Sequence, residues 1–364
     1  MLLAPAMQGS ATDICNTDRR KGRHAMEDLP TDQIPWLAKD RSDWDESVRQ
    51  WLEEVAQTKS LGKIVSVMEV KARPWSMISR VIFERSTAYF KACGSGGRHE
   101  SDLLAFLART WPEQVPSLLD RDDVRSWILM ADGGGSLRDE IDANLQISLL
   151  KRILPLYGEM QRASIGSVKE LIRLGLPDRR LGRLPELLEH LAAGDAFEFG
   201  RSPQDANRLR TAVRTSLPSL TRVCATLASS AYALALDHGD LHIGNVLVDK
   251  NRLRLCDWGD ACLTHPFCSI GVTIESTLPS VPEADRGRIE AQLLAAYMEP
   301  WTALASPANL QSEMQMALWV MQVLRALDFA HMFAEEDGEQ SCQRWKPLIG
   351  ERLYRWISLP IPAS

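Results

Sequence analysis

The sequence predicts an α+β protein, a β-rich unit of about a hundred residues followed by a mainly helical one. Three observations carry that expectation. Three runs of β-forming residues follow one another between Ile64 and Ala92 with short polar turns between them. A glycine cluster, Asp132-Gly133-Gly134-Gly135-Ser136, then interrupts the chain. From Leu137 onward the apolar residues recur at helical spacing, with a single β interruption near residue 245.

Taken in order, residues 9–30 hold few large apolar side chains, so 1–34 reads as a solvated, disordered tail. The basic run Arg19–Arg23 in it is too short to argue for nucleic acid. Trp44, Val48, Leu52 and Val55 fall on one face of a helix over Asp43–Gln57. Ile64–Val70, Met77–Phe83 and Thr87–Ala92 form an antiparallel meander. Leu103, Leu104, Phe106 and Leu107 mark an amphipathic helix over His99–Thr110, and Ser126–Met130 is a further strand ending at the glycine hinge. Helices are expected over Ile147–Ile153, Val168–Leu174, Leu184–Leu191, Ala206–Ser229, Glu283–Tyr297 and Gln311–Ala334. The last is apolar nearly all round, so it is a central buried helix, and its Met314, Met316 and Met321 are core rather than pocket lining.

Composition narrows the function classes. The 364 residues carry 42 Lys and Arg against 48 Asp and Glu, a net charge of −6, which opposes wrapping nucleic acid. At 45% hydrophobic and 25% charged the chain is globular, and it has no apolar run of membrane-spanning length. The 7 cysteines are odd in number and scattered, with no C-x-x-C pair. That pattern opposes a disulfide framework or zinc cluster and suits a reducing, cytoplasmic setting.

The β interruption holds the chemistry. Val246–Val248 and Leu253–Cys256 read as a hairpin around Asp249-Lys250-Asn251. Folding about Lys250 sets Asn245 opposite Leu255 and brings Asp257 near it, while Asp240 sits in the loop feeding the hairpin. Asn245 and Asp257 together make an oxygen half-site for Mg²⁺, and Asp240 is left to accept the proton of an attacking hydroxyl. Lys91, in a strand of the β-rich unit, supplies a cation for nucleotide phosphates, and Glu100 on the following helix pairs with it. The Gly94–Gly97 cluster lacks the following Gly-Lys-Ser/Thr of a Walker loop. His238 reads as a loop brace. His242 either positions phosphate or bonds the loop, Asp260 caps a turn, and His265-Pro266-Phe267 is a packing element.

His238-Gly239-Asp240-Leu241-His242-Ile243-Gly244-Asn245, followed by Leu255-Cys256-Asp257-Trp258-Gly259-Asp260, resembles the Brenner motif and metal-binding aspartate of the aminoglycoside phosphotransferase and choline-kinase-like family. The resemblance runs from about Lys63 to Trp356. It implies a protein-kinase-like bilobal fold, with an N lobe over 35–132 and a helical C lobe over 133–364. It further implies ATP (or GTP) and Mg²⁺, a small-molecule hydroxyl acceptor, and no nucleic-acid or membrane partner. Under it Asp240 is the catalytic base, Asn245 and Asp257 hold Mg²⁺, Lys91 and Glu100 serve the phosphates, and Met130, Ala131 and Asp132 meet the purine. The chain departs from the family's usual pattern at one position and from that of protein kinases at two others that are ordinary in the small-molecule branch. Ala72-Arg73-Pro74-Trp75-Ser76 has no glycine, so the Ser76 hydroxyl or backbone N–H groups would face phosphate. Ile243 stands where the family has proline, and Trp258 replaces the phenylalanine of D-F-G. Glu335-Glu336-Asp337-Gly338-Glu339 reads as a solvated loop rather than a lure for a cationic aminoglycoside. Two other readings compete: a metal-dependent hydrolase built on His238, Asp240, His242 and Asp257, and a nucleotide-binding pseudokinase.

Overall fold

Helix α1 (Ser42–Thr58) buries Val48, Trp51, Leu52 and Val55 against one face of a five-stranded sheet. The structure, a computed structural model, describes residues 34–140, 142–194, 202–334 and 345–363. The basic run Arg19–Arg23 and the acidic segment Glu335–Glu339 lie outside them. The sheet is formed by β1 (Ile64–Arg73), β2 (Ser76–Phe83), β3 (Thr87–Cys93), β4 (Leu118–Asp122) and β5 (Trp127–Ala131) in the order β1-β2-β3-β5-β4. Every pairing is antiparallel. Strand alternation sends Ala88, Phe90 and Ala92 toward α1, where Phe90 meets the edges of Trp51 and Trp127. It sends Lys91 and Cys93 to the opposite face, beside α2 (His99–Thr110). Strand β4 was not expected: Asp120, Arg121 and Asp122 hide it, and it is only half-buried throughout.

The glycine cluster becomes a crossing point. Gly134 has φ +109°, and a Cβ there would lie 2.3 Å from the Val248 carbonyl oxygen, so only glycine fits. It leads into β6 (Gly135–Ser136), which pairs with β8 (Val246–Asp249); β8 in turn pairs with β9 (Arg252–Leu255). The hairpin register corrects the expected one by a single residue. Val246, not Asn245, faces Leu255, because the turn is the two-residue pair Lys250-Asn251, with Lys250 at φ +55°.

The remainder is helical: α3 (Ala143–Ser164), α4 (Val168–Arg173), α5 (Leu184–Ala193), α6 (Pro203–Leu227), α7 (Ser269–Thr277), α8 (Glu283–Met298), α9 (Pro307–Ala334) and α10 (Pro347–Ser358). A short pair, β7 (Ala235–Asp237) and β10 (Cys262–Thr264), ties the loops together. Helix α3 outruns the expected Ile147–Ile153 in both directions. It starts on the Asp142 side chain, which accepts from the Asn144 and Leu145 N–H groups, and continues through Pro155. As the sequence predicts, α9 is central, with Met314, Met316, Val320 and Met321 buried. No helix among the described residues is long and apolar enough to cross a membrane.

Candidate active site

Lys91 is fixed from both halves of the molecule. Its ammonium, 3% exposed, lies 2.6 Å from Glu100 Oε2 and 2.6 Å from Asp257 Oδ1. A charge so far from water is tolerable only with partners of opposite sign. Burial opposes its ionisation, but Asp257 and Glu100 hold its pKa well above the usual lysine value. Glu100 sits in the first turn of α2 and also accepts from the Trp258 N–H at 3.1 Å, joining the helix to the segment after β9. Asp257 holds φ +63°, a left-handed backbone uncommon outside glycine, and this carries its carboxylate to Lys91. Burial pushes the Asp257 carboxyl up, and Lys91 then pulls it well below the usual carboxylate range.

The second carboxylate group is built on the loop after β7. Gly239 has φ +74°, and a Cβ there would lie 2.1 Å from the Asp260 carbonyl oxygen, so this loop and the one before β10 touch backbone to backbone. Asp237 ties the loop down by accepting from Gly239 N at 2.8 Å and Ser269 N at 3.0 Å. Burial raises its pKa to about 7. Asp240 accepts from Arg325 Nη2 at 3.0 Å, while Arg325 Nη1 donates to the Gly239 carbonyl at 2.9 Å and to Asp260 at 3.2 Å. Burial favours the neutral form of Asp240, but Arg325 and then His242 pull its carboxyl below the usual value. Asp260 goes the other way, raised to about 7 by burial against the pull of Arg325 and with Asp240 adding to the rise.

His242 Nδ1 accepts from Gly244 N at 2.9 Å, which leaves Nε2, 3.6 Å from Asp240 Oδ2, to carry the proton of a neutral ring. Of its two expected roles, bonding the loop is the one the geometry exhibits. His238 braces the loop as expected, with Nε2 3.1 Å from the Cys256 carbonyl and its ring 4.4 Å from that of Trp258. Asn245 Nδ2 donates to the Asp240 carbonyl at 2.9 Å, and the Asn245 carbonyl accepts from Cys256 N at 3.0 Å. Asp240, Asn245 and Asp257 therefore lie on adjoining backbone. The Asn245 amide oxygen and the ionised Asp257 are hard oxygen donors of the kind Mg²⁺ takes beside phosphate. Among the described residues no group of three or more His, Cys, Asp and Glu is placed to hold a metal, and the hydrolase reading lacks its ligand set.

Of the residues expected to meet a purine, Met130 pairs with Tyr89, while the Ala131 and Asp132 N–H groups are engaged by the Ser117 and Thr87 carbonyls. Ser76 starts β2 opposite Cys93 and is 7% exposed. Sequence reasoning missed Arg325 and gave Asp260 only a capping role. The signal for Arg325 was a lone cation in the mostly apolar stretch Val320–Ala330, which also holds Gln322 and Asp328.

No curated protein sequence matches this one. Among solved structures, choline kinase LicA from Streptococcus pneumoniae superposes with a TM-score of 0.57 at 13% identity, covering 87% of this chain and 99% of that one. An ethanolamine kinase from Plasmodium vivax gives 0.58 at 13% identity over 93% and 96%. A choline/ethanolamine kinase family protein from Mesorhizobium loti gives 0.57 at 13% identity over 87% and 95%. At such identity these establish the protein-kinase-like fold, a sheet-bearing lobe joined to a helical one. The family model described as phosphotransferase enzyme family (APH) matches residues 97–306, more than half of the sequence, and the chain is accordingly a member of that family of small-molecule kinases.

Proposed function

We propose that the protein transfers the γ-phosphate of ATP (or GTP) to a hydroxyl of a small molecule, with Mg²⁺ as cofactor. The observation that carries this reading is Lys91 held at 2.6 Å by both Glu100 and Asp257, with Asp240 on the adjoining loop. Lys91 supplies positive charge to the phosphates, and Glu100 fixes its direction from α2. Asp240, kept ionised by Arg325, orients the acceptor hydroxyl and takes its proton as the oxygen bonds to the γ-phosphorus. The bond from that phosphorus to the bridging oxygen breaks, and the nucleoside diphosphate leaves with the electron pair. Asn245 and Asp257 are the residues that would hold Mg²⁺, whose charge would offset that of the phosphate oxygens. The acceptor is a hydroxylated metabolite or antibiotic, and the names of the structural relatives make choline and ethanolamine the first to try, with aminoglycosides beside them in the panel.

The test is ADP release across such a panel with wild type and Asp240→Ala. The variant is expected to lose about 10²- to 10⁴-fold in kcat/KM while still binding Mg·ATP. Equal turnover by the variant would remove Asp240 from the role of base. Absence of transfer to every acceptor by a wild type that binds Mg·ATP would favour the pseudokinase reading.

A further inference from the structure

The turn between β1 and β2 raises the question of what replaces a glycine-rich cradle. Its residues, Ala72-Arg73-Pro74-Trp75-Ser76, include no glycine, and Pro74 has no N–H to offer. The turn is also held from several sides. Trp36 Nε1 donates to the Arg73 carbonyl at 2.8 Å. The Trp75 ring lies 5.8 Å from Phe333 and 5.3 Å from Trp345, and the Arg73 guanidinium lies over Trp345 at 5.6 Å. Folding its backbone closely around phosphates would disturb those contacts.

Side chains on the sheet are a different matter. Across the strands Lys71 pairs with Ile78, Ile78 with Lys91, and Lys91 with Ile128. Directly paired residues of an antiparallel sheet project from the same face. Lys71 therefore shares the face from which Lys91 reaches Asp257, two strands away, a spacing of about 10 Å. Lys71 is half-buried, and among the described residues it has no ion-pair partner within salt-bridge distance. Burial raises the Asp257 carboxyl, and of the cations that draw it down Lys71 stands second, after Lys91. It also acts on His242, which burial lowers first and Lys71 lowers further.

We infer that Lys71 is a second phosphate-binding cation: its ammonium meets the triphosphate from the β1 side while Lys91 meets it from β3, so a side chain does here what backbone N–H groups do in a glycine-rich turn. The inference rests on the proposed nucleotide site. Its test is calorimetric titration of the full chain with Mg·ATP and with adenosine, for wild type, Lys71→Met and Lys71→Arg. Methionine keeps the apolar stem against the sheet and removes the charge. Lys71→Met is expected to weaken Mg·ATP about tenfold or more and leave adenosine unchanged, with Lys71→Arg restoring most of the loss. Unchanged Mg·ATP affinity in Lys71→Met overturns the inference and leaves the nucleotide site standing. An equal loss for adenosine also overturns it, since that marks a structural role. A wild type that binds neither ligand overturns the site and the inference together.

Discussion

Arg325 is 5% exposed on its side chain and touches Asp240, Asp260 and the Gly239 carbonyl. One guanidinium thus positions the proposed base and holds it charged. Arg325→Met removes the largest of the pulls that oppose burial at Asp240, so its pKa rises. The base must be ionised to work, so the acid limb of the kcat/KM profile is expected to move to higher pH; a limb that stays in place would remove Arg325 from that role. The same residue marks the limit of the sequence. Asp240, Asn245 and Asp257 are close enough along the chain to be read as one constellation, and Lys91 and Glu100 are 9 apart. Arg325 is 85 residues from Asp240, with no spacing rule to connect them. Lys71 was hidden for another reason: β1 shifts register between Glu69 and Lys71, so counting along the strand does not give its face.

Among the elements, those with strong periodicity or a clear stop were legible. The bounds of α2 and the β1-β2-β3 meander follow from apolar spacing and turns, whereas β4 is masked by its charges; α10 is absent from the expected helices although Leu348, Ile349, Leu353 and Trp356 lie buried at helical spacing. The hairpin register failed by one residue because turn length, which sequence fixes poorly, sets it. Gly134 is the element-scale test, since β6 approaches β8 through it. Gly134→Ala is expected to destabilise the protein by about 2 kcal/mol or more, read from urea melts, from its positive φ and its contact with Val248 together. Gly166→Ala, with open space around it, is the control and should change stability little.

At the scale of the whole molecule the fold class was legible because β-forming and helical patterns are segregated along the chain. The contacts that set one half against the other were not, since they join distant segments. Trp75 at the tip of the β1–β2 turn packs on Phe333 of α9 and on Trp345. Trp75→Ala is expected to cost about 1–3 kcal/mol in urea melts, less than a fully buried tryptophan, and to raise KM for nucleotide. Trp75→Phe should retain much of both; equal losses in the two variants would argue against ring packing as the cause.

A single nitrogen atom, that of Lys91, joins two acids, one 9 residues along the chain from it and the other 166. Severing the polypeptide at the glycines near 134 would strand Lys91 with Glu100 on one fragment and leave Asp257 without its counter-ion on the second. Neither piece would be a minimal enzyme, and engineering that transplants only the helical half inherits an acid whose character was set elsewhere.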